Sequence, residues 1–209
     1  MGRRDVKEVA RGVNNEVDPV GLGWPERRPW LWSAGFAAAF VLLYELHRIM
    51  EPIVAVVDAR VSLIFLPAFV RLVAVLVAGY AGAAGIFAGA LFLGVGNGDS
   101  LWVAVAHAII SALSPCLAVL LLRFASRTKA KPFELWSLLF LAVVTSICSA
   151  VLHGAFWAEF EPSALAVGSN TVVLMMLGDV LGILFGFFLL RFGVATARAI
   201  RLQTRVWRE

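Results

Sequence analysis

Apolar residues dominate this chain in long runs, and polar residues gather between them. The runs are Trp30–Tyr44, Val61–Gly79, Ala81–Gly96, Leu101–Leu122, Leu135–Trp157 and Thr171–Leu190. Most are long enough to cross a hydrocarbon core of about 30 Å as helices. Within them the polar residues are too sparse to mark the wet face of a soluble amphipathic helix. A single helix over Val61–Gly96 would run roughly 54 Å at about 1.5 Å per residue. The Gly79-Tyr80-Ala81-Gly82 break therefore predicts a hairpin of two helices. The pattern predicts an all-α, polytopic membrane helix bundle of about six transmembrane helices.

Three segments follow from this reading: a polar N-terminal tail over 1–29, a transmembrane bundle over 30–193, and a basic tail over 194–209. Trp24, Trp30 and Trp32 flank the entry to the bilayer, at the level indoles prefer. The segment Ser163–Asn170 either extends the sixth helix or forms a short re-entrant piece. Pro67 and Pro115 fall inside the second and fourth predicted spans, where each frees a carbonyl and can kink a helix.

Composition agrees with lipid as the main solvent. The chain is 61% apolar and 15% charged over 209 residues, against about 45–50% apolar in a soluble domain. Its pI of about 9.6 would suggest nucleic acid in a soluble protein. Here the bases are placed as cytoplasmic loops require, and no nucleic-acid partner is expected. Arg3, Arg4, Lys7, Arg11, Arg27 and Arg28 lie in the N-tail, Arg123, Arg127, Lys129 and Lys131 after the fourth run, and Arg191, Arg198, Arg201, Arg205 and Arg208 at the C-terminal end. The Asn97-Gly98-Asp99 and Ala158–Glu161 turns carry no base. Six crossings put all three basic segments on one side, N-in and C-in. The connector Glu45–Arg60 then lies outside with mixed charge. The spacing of Arg198, Arg201, Arg205 and Arg208 makes a basic stripe on a helix, read as a membrane-surface continuation of the sixth span, with partner docking as a second reading.

Candidate chemistry is confined to a few intramembrane polar residues. Ionisable groups inside spans are expensive and mark functional positions. Arg71 and Asp179 lie near the middles of the second and sixth runs, at similar depth, and are expected to pair or to share a polar interior. A purely structural clamp between helices stands beside that reading. His107 and His153 are read first as hydrogen-bonded interior histidines, with a proton relay or ligand contact as the alternative. Ser169 and Asn170, at the outer end of the sixth run, line an outward pocket or cap a helix. Gly85/Gly89 and Gly178/Gly182/Gly186 have GxxxG spacing, which allows close backbone approach. Packing within the bundle is the first reading of these faces, and a homo-oligomer the second. Cys116 and Cys148 are expected to be reduced.

No metal-ligand spacing, Walker A loop, dinucleotide fingerprint or nucleophile elbow is present. The connectors are too short to hold a catalytic domain. The expectation is a protein that is not an enzyme and carries no cofactor.

Three stretches resemble the MASE1 type of bacterial integral membrane sensory domain. They are FLPAFVRLVAVLVAGYAGAAGIFAGALFLG at 65–94, AVAHAIISALSPCLAVLLLRF at 104–124 and LGDVLGILFGFFLL at 177–190. The family pattern is a proline-bearing helix, a Gly-rich hairpin, a small-residue helix ending in a base, and a late Gly-Asp-x-x-Gly. Here these are Pro67, Gly79 to Gly89, Arg123, and Gly178-Asp179 with Gly182. The departures are fewer spans, no kinase or cyclic-di-GMP segment, and Arg71 where the family more often has an uncharged residue. The resemblance implies a stand-alone sensory or ligand-binding module in the cell inner membrane that signals through a partner enzyme. Substrate-binding subunits of energy-coupling-factor vitamin transporters are also similar in their Gly-rich hairpin. An accessory subunit that stabilises a larger membrane complex is the third expectation.

Overall fold

The computed structural model describes residues 28–50, 56–58, 61–125, 134–162 and 170–206. The described residues form five helices: α1 (Pro29–Met50), α2 (Pro67–Gly96), α3 (Leu101–Ala125), α4 (Leu135–Phe160) and α5 (Thr171–Val206). A small antiparallel hairpin of β1 (Val56–Asp58) and β2 (Val61–Ser62) joins α1 to α2, pairing Val56 with Ser62 and Asp58 with Val61. The calls on Trp24, on the connector bases Arg127, Lys129 and Lys131, and on 163–169 lie outside the described residues, as does nearly all of the N-terminal tail.

All five helices are long and apolar enough to cross a membrane. The distribution of side chains is that of a protein solvated by lipid. Large apolar groups project outward from every helix, among them Leu42, Phe92, Leu121, Val151 and Phe188, while Arg71, Asp179, Thr145, Ser146 and Ser149 are buried. In water such a surface would be one continuous apolar patch. In a bilayer it is the solvated face, and the polar groups belong inside.

α2 is two arms rather than one rod. Gly79 takes φ 54°, ψ −129°, a conformation that favours glycine because it has no Cβ. Val70, Ala74, Ala90 and Leu93 gather around Phe40 and Ile86 in one apolar cluster. On a straight helix Val70 and Ala90 would stand about 30 Å apart, so the chain folds back at Gly79. A side chain at Gly82 would fall on the Ala74 carbonyl, so only hydrogen there lets the arms meet. The break expected at Gly79–Gly82 is where the chain reverses.

The first arm corrects the sequence reading. A helix was expected from Val61, but 61–62 is strand and helix begins only at Pro67. Pro67 therefore sits in the first turn, where its missing N–H has no intrahelical acceptor to lose. It does not kink a span. The mixed connector Glu45–Arg60 is also shorter than expected: α1 continues to Met50, and Glu45 and Arg48 pair on its last turns at 2.7 Å.

The elements close into a bundle. α1 packs on α2, α2 on α3, α3 on α4, and α4 on α5, which returns to the first arm of α2 and to β2. The main core joins Leu72 and Val75 of the first arm to Val119, Leu141 and Ile183. Gly85 and Gly89 face the α1 backbone at Ser33 and Ala37, while Gly178, Gly182 and Gly186 face Ser62, Phe65 and Phe69. Both glycine stripes are used within the bundle. Successive contacts on the second stripe show that 62–69 runs parallel to 178–186. The expected sixth span and basic tail form one continuous helix, without a break at 193–194. Cys116 and Cys148 are free thiols.

Candidate functional site

Asp179 lies two turns into α5, and Arg71 on the second turn of the first arm of α2. Residues 62–66 lie against the glycine face of α5, and Phe65 N–H donates to the Gly178 carbonyl at 2.9 Å. That docking sets the register of α2 against α5. It brings Arg71 Nη2 to 2.7 Å from Asp179 Oδ2, with both side chains almost wholly buried, at 2% and 1% exposure. The expected pair is formed.

Two further groups complete its surroundings. Arg71 Nη1 donates to Ser149 Oγ on α4 at 3.2 Å. The guanidinium carbon stands 5.6 Å from the centre of the Phe65 ring, a cation–π distance. Three helices thus converge on one guanidinium. Arg71 Nε and Asp179 Oδ1 have no hydrogen-bond partner among the described residues. Unmet polar groups in a medium without water are worth several kcal/mol each.

Ser149 belongs to a stripe. Thr145, Ser149, His153 and Trp157 recur every fourth residue on α4, so they share one face, and all four are buried. Ser146, by contrast, donates to its own helix at Ala142 O, 2.8 Å. His153 Nδ1 is 2.9 Å from the Ser149 carbonyl. Since a carbonyl only accepts, Nδ1 carries the proton. The His153 ring lies nearly parallel to His107 of α3, with centroids 5.2 Å apart and planes at 18°. His107 Nε2 in turn faces Glu161 Oε2 at 3.9 Å, with both side chains about a quarter exposed. Trp102, Phe156 and Trp157 surround this end with ring contacts.

The structure thus joins four of the five sequence candidates into one line of polar groups. It runs from Glu161 at the rim through His107, His153 and Ser149 to Arg71 and Asp179 inside. Asn170 is not part of it; it is exposed at the start of α5. The sequence reading overlooked Ser149, Thr145, Trp157, Phe65 and Glu161. The four-residue spacing Thr145-Ser149-His153-Trp157 was the available signal for three of them. Among the described residues, no group of three or more His, Cys, Asp or Glu side chains converges as a metal site.

Comparisons with known protein families, with characterised proteins and with solved structures return no match for this chain.

Proposed function

We propose that this chain is a non-enzymatic integral membrane sensory module that acts through a partner protein. In this reading it crosses a bacterial inner membrane six times, N-in and C-in. The observation that carries it is the buried Arg71–Asp179 pair, placed on the helix that runs furthest out of the bundle. α5 has 36 residues, roughly 54 Å at about 1.5 Å per residue, against a hydrocarbon core of about 30 Å. A change at Asp179 is therefore built into the same rigid element that leaves the bilayer with Arg198, Arg201 and Arg205.

Six crossings are supported by the reversal at Gly79 and by the parallel run of 62–69 beside 178–186. In this reading the first arm of α2, with the residues that lead into it, crosses in the same direction as α5. The three basic segments then share the cytoplasmic side. The resemblance of 65–94, 104–124 and 177–190 to MASE1-type sensory domains points the same way, because those domains pass a signal to an attached or associated enzyme.

The test is purification of the tagged full chain from its native membrane in mild detergent, with mass spectrometry of proteins and small molecules. A copurifying kinase or cyclic-nucleotide enzyme, whose activity changes when Asp179→Asn is introduced, is the expected result. Transport ATPases with a bound metabolite would replace this reading with a transporter subunit. A stoichiometric large complex without a small molecule would leave an accessory subunit.

A further inference from the structure

α5 has a second face, turned away from the bundle. Its described part is apolar and uncovered: Phe185, Phe188, Phe192 and Ala195 are all exposed, Phe188 and Phe192 by 63% and 65%. They follow one another at spacings of three, four and three, and the rings of Phe188 and Phe192 stack 6.5 Å apart. The sequence keeps that rhythm through Ala199, Leu202 and Val206, at four, three and four. This is the a/d repeat of a coiled coil, held for about three heptads. Phe185, Phe192, Ala199 and Val206 take the a positions.

Lipid covers only the first part of this stripe. About twenty residues of a helix cross the hydrocarbon, so a span that begins at Thr171 ends near Leu190, and Arg191 follows. Residues 192–206 then run about 22 Å further. The helix is unbroken there, so it continues along its own axis instead of turning flat onto the headgroups, as the basic stripe alone suggested. Left bare, an apolar stripe in water marks a contact surface. We propose that a second copy of this chain covers it: two α5 helices pair in parallel, in a coiled coil that starts inside the bilayer at Phe185 and runs to Val206. This goes beyond the sensory reading and does not depend on it.

Three features favour a second copy. Copies inserted into one membrane share an orientation, so a twofold pair about the membrane normal is parallel. A parallel pair sets a against a and d against d, and a stripe apolar at both positions meets itself without a mismatch. Ala195 and Ala199 are small where the helices leave the lipid, which lets the two backbones approach. The charges agree as well. Arg191, Arg198 and Arg205 fall on g positions, and the g residue of one parallel helix faces the e residue of the next heptad in the other. Those e positions hold Thr196 and Gln203, neutral side chains whose oxygens accept from a guanidinium. An antiparallel pair would instead oppose arginine to arginine. Repulsion over longer distances across the parallel pair is screened beyond about 8 Å at physiological ionic strength.

Single cysteines in the full chain, with Cys116 and Cys148 replaced by alanine, test the pairing in the native membrane. Facing a or d positions bring their Cα atoms within the disulfide range of about 4.4–6.8 Å, whereas f positions point apart. The two heptads outside the lipid open and close readily, so their thiols stay within reach of oxidant and small reagents. Oxidation is expected to join Ala195→Cys and Ala199→Cys into dimers of twice the chain mass and to leave Ala197→Cys, at f, monomeric. In mild detergent, Leu202→Arg at d is expected to weaken self-association by about ten-fold or more, while Thr204→Arg, the same charge at f, leaves the dimer unchanged. Neither change touches the bundle core, so loss of folding does not stand in for loss of pairing. Equal crosslinking at 195, 197 and 199, or none at any of them, would overturn the proposal. So would a crosslink from 195 or 199 to a different protein, which would assign this face to a foreign helix. If the dimer forms and no signalling enzyme copurifies, the pairing stands and the sensory reading falls; an enzyme without the crosslinks gives the converse.

Discussion

The Arg71 guanidinium is held by a carboxylate, a hydroxyl and a ring face, each from a different part of the chain. In a low-dielectric interior the attraction between Arg71 and Asp179 is large, and so is the loss of hydration of both ions. The pair therefore adds little net stability, yet removing one partner strands the other. Asp179→Asn or Arg71→Gln alone is expected to destabilise the detergent-solubilised fold by about 3–5 kcal/mol. The double change Arg71→Met with Asp179→Leu is expected to recover most of that loss in denaturant unfolding. Additive losses would show that the two ions are not coupled. Ser149→Ala leaves Arg71 Nη1 unmet and is expected to lower stability by about 1–3 kcal/mol, whereas Ser146→Ala, which removes only a bond to its own helix, should fall well below that. This contrast also explains what was legible at this scale. Charged residues inside apolar runs announce themselves, so Arg71 and Asp179 could be paired on sight. A serine in such a run ordinarily satisfies itself on the carbonyl four residues back, as Ser114 and Ser146 do. Only its place in the Thr145-Ser149-His153-Trp157 stripe distinguishes Ser149 from them.

Among the elements, α2 and its lead-in position the site. The reversal at Gly79 returns the first arm against the second, and the glycine face of α5 lets residues 62–66 lie close enough to lock register. Gly79→Ala must place a Cβ in a glycine conformation and is expected to cost about 1–3 kcal/mol. Gly182→Leu would drive its side chain into the Phe65 backbone; it is expected to separate α2 from α5 and lower the yield of folded monomer. Gly193→Ala, with open space around it, is the matched control and should behave as wild type. Thermal unfolding of purified protein ranks the three. The hairpin break was readable because glycine clusters and length limits both demanded it. The strand and the bend before Pro67 were not, because the apolar run SLIFL suits a buried helix and a buried strand equally well. The proline was then assigned to the interior of a helix that in fact begins with it.

At the level of the whole molecule, outward apolar and inward polar residues follow from the choice of solvent, and that choice was visible in the spacing of apolar runs. The meeting of His107 with His153 was not, since 46 positions of sequence separate them and only the antiparallel packing of α3 and α4 stacks their rings. The same packing carries the polar line to the Glu161 rim, which the proposed six-crossing arrangement would put on the outer face. Topology is thus the claim on which the site's access depends. It is tested by replacing Cys116 and Cys148 with alanine and adding single cysteines at Val6, Gly98, Ser126, Glu161 and Ala199. These are then labelled in intact cells with a membrane-impermeant thiol reagent. Labelling of 98 and 161 from outside, with 6, 126 and 199 reached only after permeabilisation, is the predicted result. Labelling of 6 and 199 from opposite sides, or of 161 only from within, would contradict it.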